Sequence, residues 1–202
     1  MIRVRGPELQ SGDVVLRLFR RADGPAWREA QAVNAEWLRP WEGTTPDGAR
    51  PRPTYGTMLR TMAAEYAAGR SVPFAIEYQG NYVGTLTLGN IIRGSLLGAY
   101  IGYWIDQRVA GRGIMPTAVA MALDHGLGEQ GLHRIEISIR PENAASLRVV
   151  EKLHLPFEGV RQRYLHIAGA WRDHNIYVVD SETAPQGGFL PRWIRERDAQ
   201  TR

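Results

Sequence analysis

Residues 108 to 114 read Arg-Val-Ala-Gly-Arg-Gly-Ile and fit the pattern R-x-x-G-x-G, placed between an apolar run and a helix-forming stretch. At the start of a helix the first backbone N–H groups have no partner within the helix. With the helix dipole they make a site for an anion such as a pyrophosphate. Glycines at 111 and 113 remove the Cβ atoms that would hold phosphate oxygens away from the backbone, and Arg108 and Arg112 are expected to add positive charge at the rim. Pro116 is compatible with a first turn, where its missing N–H is no loss. Two nucleotide motifs are excluded by the same residues. A Walker loop needs Lys after its last glycine, where Ile114 stands, and a dinucleotide fingerprint needs a third glycine where Pro116 stands.

A second pair lies downstream. Asn143 and Ser146 are three residues apart at a helix start and share one face, an arrangement that ordinarily serves as an N-cap. Among carboxylates, Asp106 ends the run before the glycine loop. Glu136, in an alternating strand, is a candidate base that alternation makes equally an arginine partner, and Glu29 and Glu36 are further candidates. There is no cysteine, so a disulfide frame, a thiol nucleophile and a thiolate metal site are all excluded. The five histidines lack a helical ligand spacing, and no structural metal is expected. Lys152 is the only lysine, so the positive charge is carried by arginine, which favours phosphate chemistry over Schiff-base chemistry. The net charge of +4 is modest and the arginines are scattered, which argues against nucleic acid as a partner.

These groups need a scaffold. At 202 residues with 44% hydrophobic and 23% charged residues, one globular domain is expected. No window approaches the ~18 apolar residues of a membrane span, and the start shows no signal core, so a cytoplasmic protein with no membrane partner is expected. Val14 to Arg20 alternates as a strand, and Asp23 is expected to cap a helix with Pro25 in its first turn. Residues 37 to 53 read as loop because of their prolines and glycines, and a helix follows from Tyr55 to Gly69. Strands 73 to 79 and 82 to 91 flank Gly80-Asn81, a pair suited to a hairpin turn. A third run, 97 to 106, feeds the glycine loop. The helix after it carries Met115, Val119, Ala122, Leu123 and Leu127 as a stripe for packing on a sheet by one face. Strand 133 to 140, a helix opened by Asn143, and strands 157 to 166 and 171 to 179 joined by Ala168-Gly169 complete the pattern. The order implies an α+β fold with one mixed sheet and helices on both faces. Residues 1–180 form the expected domain, and 181–202 read as a tail, flexible or docked through Phe189 or Trp193.

R-x-x-G-x-G after a strand, with N-x-x-S opening the next helix, resembles the GNAT superfamily of acyltransferases. The stretches GYWIDQRVAGRGI, RIEISIRPENAASLRVVEKL and AGAWRDHNIY are similar to its RimJ/RimL branch, associated with acetylation of protein N-termini. The resemblance implies a central twisted, mostly antiparallel sheet of about seven strands. It implies acetyl-CoA as donor, with its pyrophosphate on Arg108, Val109, Ala110, Gly111, Arg112, Gly113 and Ile114, and its pantetheine arm on Tyr103, Trp104 and Ile105. Asn143 matches a CoA contact, and Ser146 matches the hydroxyl that protonates the departing thiolate. The branch's glutamate position in the late strand is held here by Leu165, so no base is assigned. Acceptor recognition is expected from Trp37, Trp41 and Tyr164, on loops and a hairpin set by a fixed scaffold. The acceptor implied is the α-amino group of a protein or peptide, ribosomal proteins included. A small amine acceptor, a succinyl donor and a non-catalytic CoA sensor are the alternatives, and a monomer and a homodimer are both compatible.

Overall fold

The computed structural model describes residues 6–48 and 53–200; Pro51, within the expected loop, lies outside them. The elements in chain order are strands β1 (Glu8–Ser11) and β2 (Val14–Leu18), helices α1 (Gly24–Val33), α2 (Ala35–Leu38) and α3 (Tyr55–Ala67), and strands β3 (Val72–Tyr78), β4 (Asn81–Ile92) and β5 (Gly98–Ile105). Helix α4 (Ile114–Leu127), strand β6 (Arg134–Ile139), helix α5 (Ala144–Lys152), strands β7 (Phe157–Ile167) and β8 (Ala170–Asp180) and helix α6 (Phe189–Gln200) follow. The strands form one sheet in the order β1-β2-β3-β4-β5-β6-β8-β7. Every neighbouring pair is antiparallel except β5 and β6, which the crossover helix α4 joins in parallel.

The sheet has eight strands where about seven were expected. The extra one, β1, is the polar segment ELQS at the edge, paired with β2 from Glu8↔Arg17 to Ser11↔Val14. A polar edge strand carries no hydrophobic signal, and the clue to it is the turn at Gly12-Asp13, with Gly12 at φ 55°. The β3–β4 turn falls one residue earlier than expected: Tyr78 pairs with Asn81, and Gln79 and Gly80 take the positive φ angles of 52° and 77°. Residues 37–41 of the expected loop are helical, Trp37 and Leu38 in α2 and Arg39–Trp41 in a 3-10 turn.

Asp23 was expected to cap α1 and does not. Its carboxylate accepts from the Arg17 guanidinium at 2.8 Å and from Arg20 N–H at 2.7 Å, because a buried arginine on β2 needs a counter-charge more than a helix end open to water does. Glu77 completes the pairing of Arg17 at 2.8 Å.

Alternation along the strands divides the sheet. Leu16, Phe74, Ile76, Leu86, Leu88, Ile101, Ile135, Ile137 and Ile139 form the face covered by α4, and all of them are almost wholly buried. Helix α4 is buried all round from Ile114 to Leu123, not by one face as its stripe suggested. Its outer side is covered by α6, whose Phe189 and Trp193 are both in the core. The segment read as a patternless tail thus holds a helix; Pro191 sits in its first turn, where proline is tolerated.

Two histidines are buried, His125 on α4 edge-on to Phe74 and His174 on β8, and burial holds both below the usual imidazole range. The unfolded chain therefore binds more protons than the folded one below pH ~6.5, so stability must fall as the pH drops through that point. Urea unfolding is expected to show a lower midpoint at pH 5.5 than at pH 7.5. A double His125→Gln, His174→Gln variant should show a smaller difference, and equal wild-type midpoints would contradict the sign.

Candidate active site

The parallel pair is where the sheet opens. Strands β5 and β6 share register only from Gly98↔Arg134 to Tyr100↔Glu136, although β5 runs on to Ile105 and β6 to Ile139. Past Tyr100 the two strands part, leaving main-chain donors and acceptors on facing edges without sheet partners. On its other edge β5 stays paired with β4 as far as Gly84↔Ile105. Asp106 N–H donates to Val83 O at 2.8 Å, and Trp104 O lies beside Gly84. Alternation then turns the main chain of Tyr103 and Ile105 into the gap and that of Trp104 toward β4. Of the three residues expected to meet an extended amide-bearing ligand, two have main-chain groups facing it. The Trp104 ring packs instead on Tyr82, with centroids 6.2 Å apart.

The glycine loop follows at the C-terminal mouth of the gap. Asp106 is buried and accepts from Arg108 N–H at 2.9 Å and from Arg108 Nη2 at 2.6 Å. Burial alone would raise its pKa, but the Arg108 side chain and N–H outweigh that and hold it below the usual carboxylate range. The buried Asn34, at the end of α1, accepts Gln107 N–H at 2.8 Å. These bonds fix the first half of the loop, and they change the role expected of Arg108. Its guanidinium is taken by Asp106 and by Glu29 at 3.0 Å, so it braces the loop rather than standing free at the rim. Arg112 is exposed beside it, with Nη2 3.5 Å from Arg108 O.

The second half turns on its glycines. Gly111 and Gly113 have φ of 83° and 79°, the left-handed region that favours glycine, with Val109 and Ala110 leading into them. Gly113 is the N-cap of α4 and offers no side chain to the first-turn N–H groups, Ile114 N–H among them. A glycine-capped 14-residue helix with open donors beside a split parallel pair fits a diphosphate joined to an amide-bearing arm.

On the α4 side of the mouth stands α5. Asn143 Oδ1 accepts Ser146 N–H at 3.1 Å, the N-cap expected of it, and its Nδ2 makes no hydrogen bond among the described residues. The Ser146 hydroxyl is half-buried beside the Tyr103 phenol, and Ser146 O accepts from the Tyr103 hydroxyl at 3.5 Å. Burial pushes the Tyr103 phenol well above its usual range, so it keeps its proton. The structure thus brings Tyr103, Asn143 and Ser146 together at one corner.

Glu136 faces the opposite side of the sheet. Arg134 donates to it at 3.0 Å and Arg161 at 3.1 Å, so two guanidiniums engage its oxygens and it stands as an arginine partner. Glu29 is paired with Arg108, and Glu36 with Arg39 at 2.8 Å. On this side the mouth is bounded by the segment after α2. Arg140, following β6, donates to Pro40 O at 2.8 Å and lies 5.3 Å from the Trp41 ring centre. Thr44 N–H donates to His166 O at 2.9 Å, and Ala168 N–H to Glu42 O at 3.0 Å, which ties this segment to the tip of the β7–β8 hairpin. Tyr164 is on the same hairpin, with Arg161 stacked at 4.9 Å and His174 edge-on at 5.9 Å. Trp41 and Tyr164 therefore lie on two segments that these bonds join, and Trp37 is half-buried on α2. Sequence reasoning missed Asn34, Arg140 and Thr44 in these roles, since each is defined by a partner far away in the chain.

Among the described residues no group of His, Cys, Asp or Glu is placed to hold a metal ion, and no helix is long and apolar enough to cross a membrane.

The sequence matches the family described as Acetyltransferase (GNAT) domain over residues 13–155. It is 30% identical to the [Ribosomal protein uS5]-alanine N-acetyltransferase of Escherichia coli K12 over 181 residues, covering 88% of this chain and 91% of that protein. It is 41% identical over 97 residues to the probable N-acetyltransferase YjcK of Bacillus subtilis, a match spanning 48% of this chain and 54% of that protein. Among solved structures, Mycobacterium smegmatis RimJ in complex with CoA-disulfide superposes with a TM-score of 0.85 at 37% identity, covering 91% of this chain and 88% of that one.

Proposed function

From the premise that this chain belongs to the GNAT acetyltransferase family, we propose that it moves an acetyl group from acetyl-CoA to the α-amino group of a protein or peptide. Ribosomal proteins are the favoured acceptor class, because the Escherichia coli relative that matches 88% of this chain is named for that activity. The observation that carries the reading is the parting of β5 from β6 after Tyr100, with the glycine loop at its mouth.

Acetyl-CoA supplies an activated thioester. The N–H groups of Val109 and Ala110 are taken by Asp106 O at 3.1 Å and Gln107 O at 3.2 Å, so the open N–H groups from Gly111 to Ile114 hold the diphosphate, and the main chain of Tyr103 and Ile105 orients the arm between the strands. Asn143 Nδ2 is free to donate to the same arm. The Ser146 hydroxyl delivers a proton to the sulfur as it leaves. The chain has no cysteine, which agrees with direct attack by the amine in a ternary complex. The incoming chain end lies against Trp37, Trp41 and Tyr164. The proton lost by the amine is carried by water rather than by Glu136, whose oxygens Arg134 and Arg161 already engage. This chemistry belongs to the cytoplasm, where acetyl-CoA and newly made protein ends meet.

The test is mass spectrometry after incubation of the protein with acetyl-CoA and peptides bearing free N-termini, with spermidine and free amino acids in parallel. A gain of one acetyl group at the peptide α-nitrogen is the expected result. Mass gained only by the small amines would replace the acceptor class, and tight CoA binding with no acceptor modified would make the protein a sensor.

A further inference from the structure

Helix α6 meets α4 at two separated points. The Asp124 carboxylate accepts Phe189 N–H at 2.7 Å and Leu190 N–H at 3.0 Å, capping the start of α6. Toward the other end of α4, the buried Trp193 donates its indole N–H to Thr117 Oγ1 at 2.9 Å. Thr117 in turn donates its hydroxyl proton to Gly113 O at 2.9 Å, and that carbonyl also accepts Thr117 N–H at 3.2 Å.

A threonine bonded to the carbonyl four residues back is an ordinary local feature, and alone its hydroxyl is free to rotate. The indole removes that freedom. With Trp193 N–H on one lone pair of Oγ1, the O–H is aimed at Gly113 O. The Gly113 carbonyl and the Ile114 N–H belong to one planar trans peptide and point in opposite directions. Holding the carbonyl down into the helix therefore holds the N–H outward at the helix mouth. A second bond on that carbonyl polarises the peptide and makes its N–H a stronger donor. The indole edge also lies 3.6 Å from where a Cβ on Gly113 would stand, so the ring underlies the second of the two glycines whose left-handed φ sets the turn.

We propose that Trp193 and Thr117 are positioning residues for the diphosphate site. The indole fixes the Thr117 hydroxyl, the hydroxyl fixes the Gly113 peptide, and that peptide presents Ile114 N–H to the ligand. The assignment rests on the reading of the glycine loop as the CoA site and gives the C-terminal helix a part in cofactor affinity.

The test is calorimetric titration with CoA, and thermal melting, of the full chain and of Trp193→Phe, Thr117→Val, Thr117→Ser and Asp124→Asn. Trp193→Phe keeps the buried ring and loses the N–H, and Thr117→Val keeps the shape and loses the hydroxyl. Each is expected to raise the CoA Kd about fivefold, with kcat at saturating donor within about twofold of wild type. Thr117→Ser should restore wild-type affinity. The double variant should bind no more weakly than the weaker single, since the bonds act in series. Asp124→Asn should lower the melting temperature and leave Kd unchanged. Wild-type CoA affinity in folded Trp193→Phe and Thr117→Val, with only their melting temperatures lowered, overturns the proposal while the CoA site stands. If the wild-type protein itself binds no CoA, the reading of the loop falls and this proposal with it.

Discussion

Substituting alanine at Gly113 is expected to raise the Kd for acetyl-CoA by at least about tenfold, which is ~1.4 kcal/mol, in a protein that still folds. Gly113 has φ 79°, and an L-residue with a Cβ is disfavoured there by about 1–2 kcal/mol. The chain can keep that angle and carry the strain, or rotate the peptide and lose it. Rotation would swing the Gly113 carbonyl away from Thr117 N–H and Oγ1, and would turn Ile114 N–H from the helix mouth. Relief of the strain favours the rotated peptide, and affinity then falls because binding has to restore the geometry. Gly111→Ala makes an informative companion. Its φ of 83° carries similar strain, but no other residue lies within 4 Å of the added Cβ and no hydrogen-bond chain ties that residue to α6. Its effect on Kd should therefore be smaller than that of Gly113→Ala. Calorimetry on both variants, with circular dichroism to confirm folding, settles the comparison, and wild-type affinity in Gly113→Ala would remove the loop from the site.

The sequence revealed those parts of the molecule whose causes are local. Glycines 111 and 113 between a strand and a helix, the alternation of HRIEISIR, and Asn143 three residues before Ser146 all act through neighbours in the chain, and each stands where its pattern indicates. What stayed hidden depends on partners far away. Arg108 looks like a phosphate ligand until Asp106 and Glu29 are seen on its guanidinium, and Glu136 looks like a base until Arg134 and Arg161 close on it. The opening between β5 and β6 leaves no mark on either strand's composition, because it is a property of their register, and it is foreseen only through the resemblance that sets an extended arm along Tyr103 to Ile105. One overlooked signal was in plain view. The run IMPTAVAMAL is apolar around the whole helix, and such a helix must be covered on both sides. That requirement points to Phe189, Leu190, Trp193 and Ile194, spaced as a stripe in the segment read as a tail.

Ser146 carries the second large effect. Replacing it with alanine should lower kcat about 100-fold, the usual scale of a lost proton donor, and leave the acetyl-CoA Kd within about twofold. Such a split is expected because the residue holds α5 through its main chain: Ser146 N–H is capped by Asn143 Oδ1, and Ser146 O receives the Tyr103 hydroxyl. Alanine keeps both of those bonds and is a good helix former, so only the hydroxyl is lost. A thiolate leaving into a site without that donor would have to take its proton from water or depart charged, and either raises the barrier without touching the diphosphate loop. The neighbouring phenol makes the experiment decisive. Tyr103 is the other hydroxyl at this corner, and since burial keeps it protonated it too has a proton to give. Single-turnover rates of Ser146→Ala and Tyr103→Phe across pH separate the two. A loss confined to Ser146→Ala places the donor on the helix, whereas an unchanged Ser146→Ala beside a slowed Tyr103→Phe moves it to the strand and leaves serine its capping contacts alone.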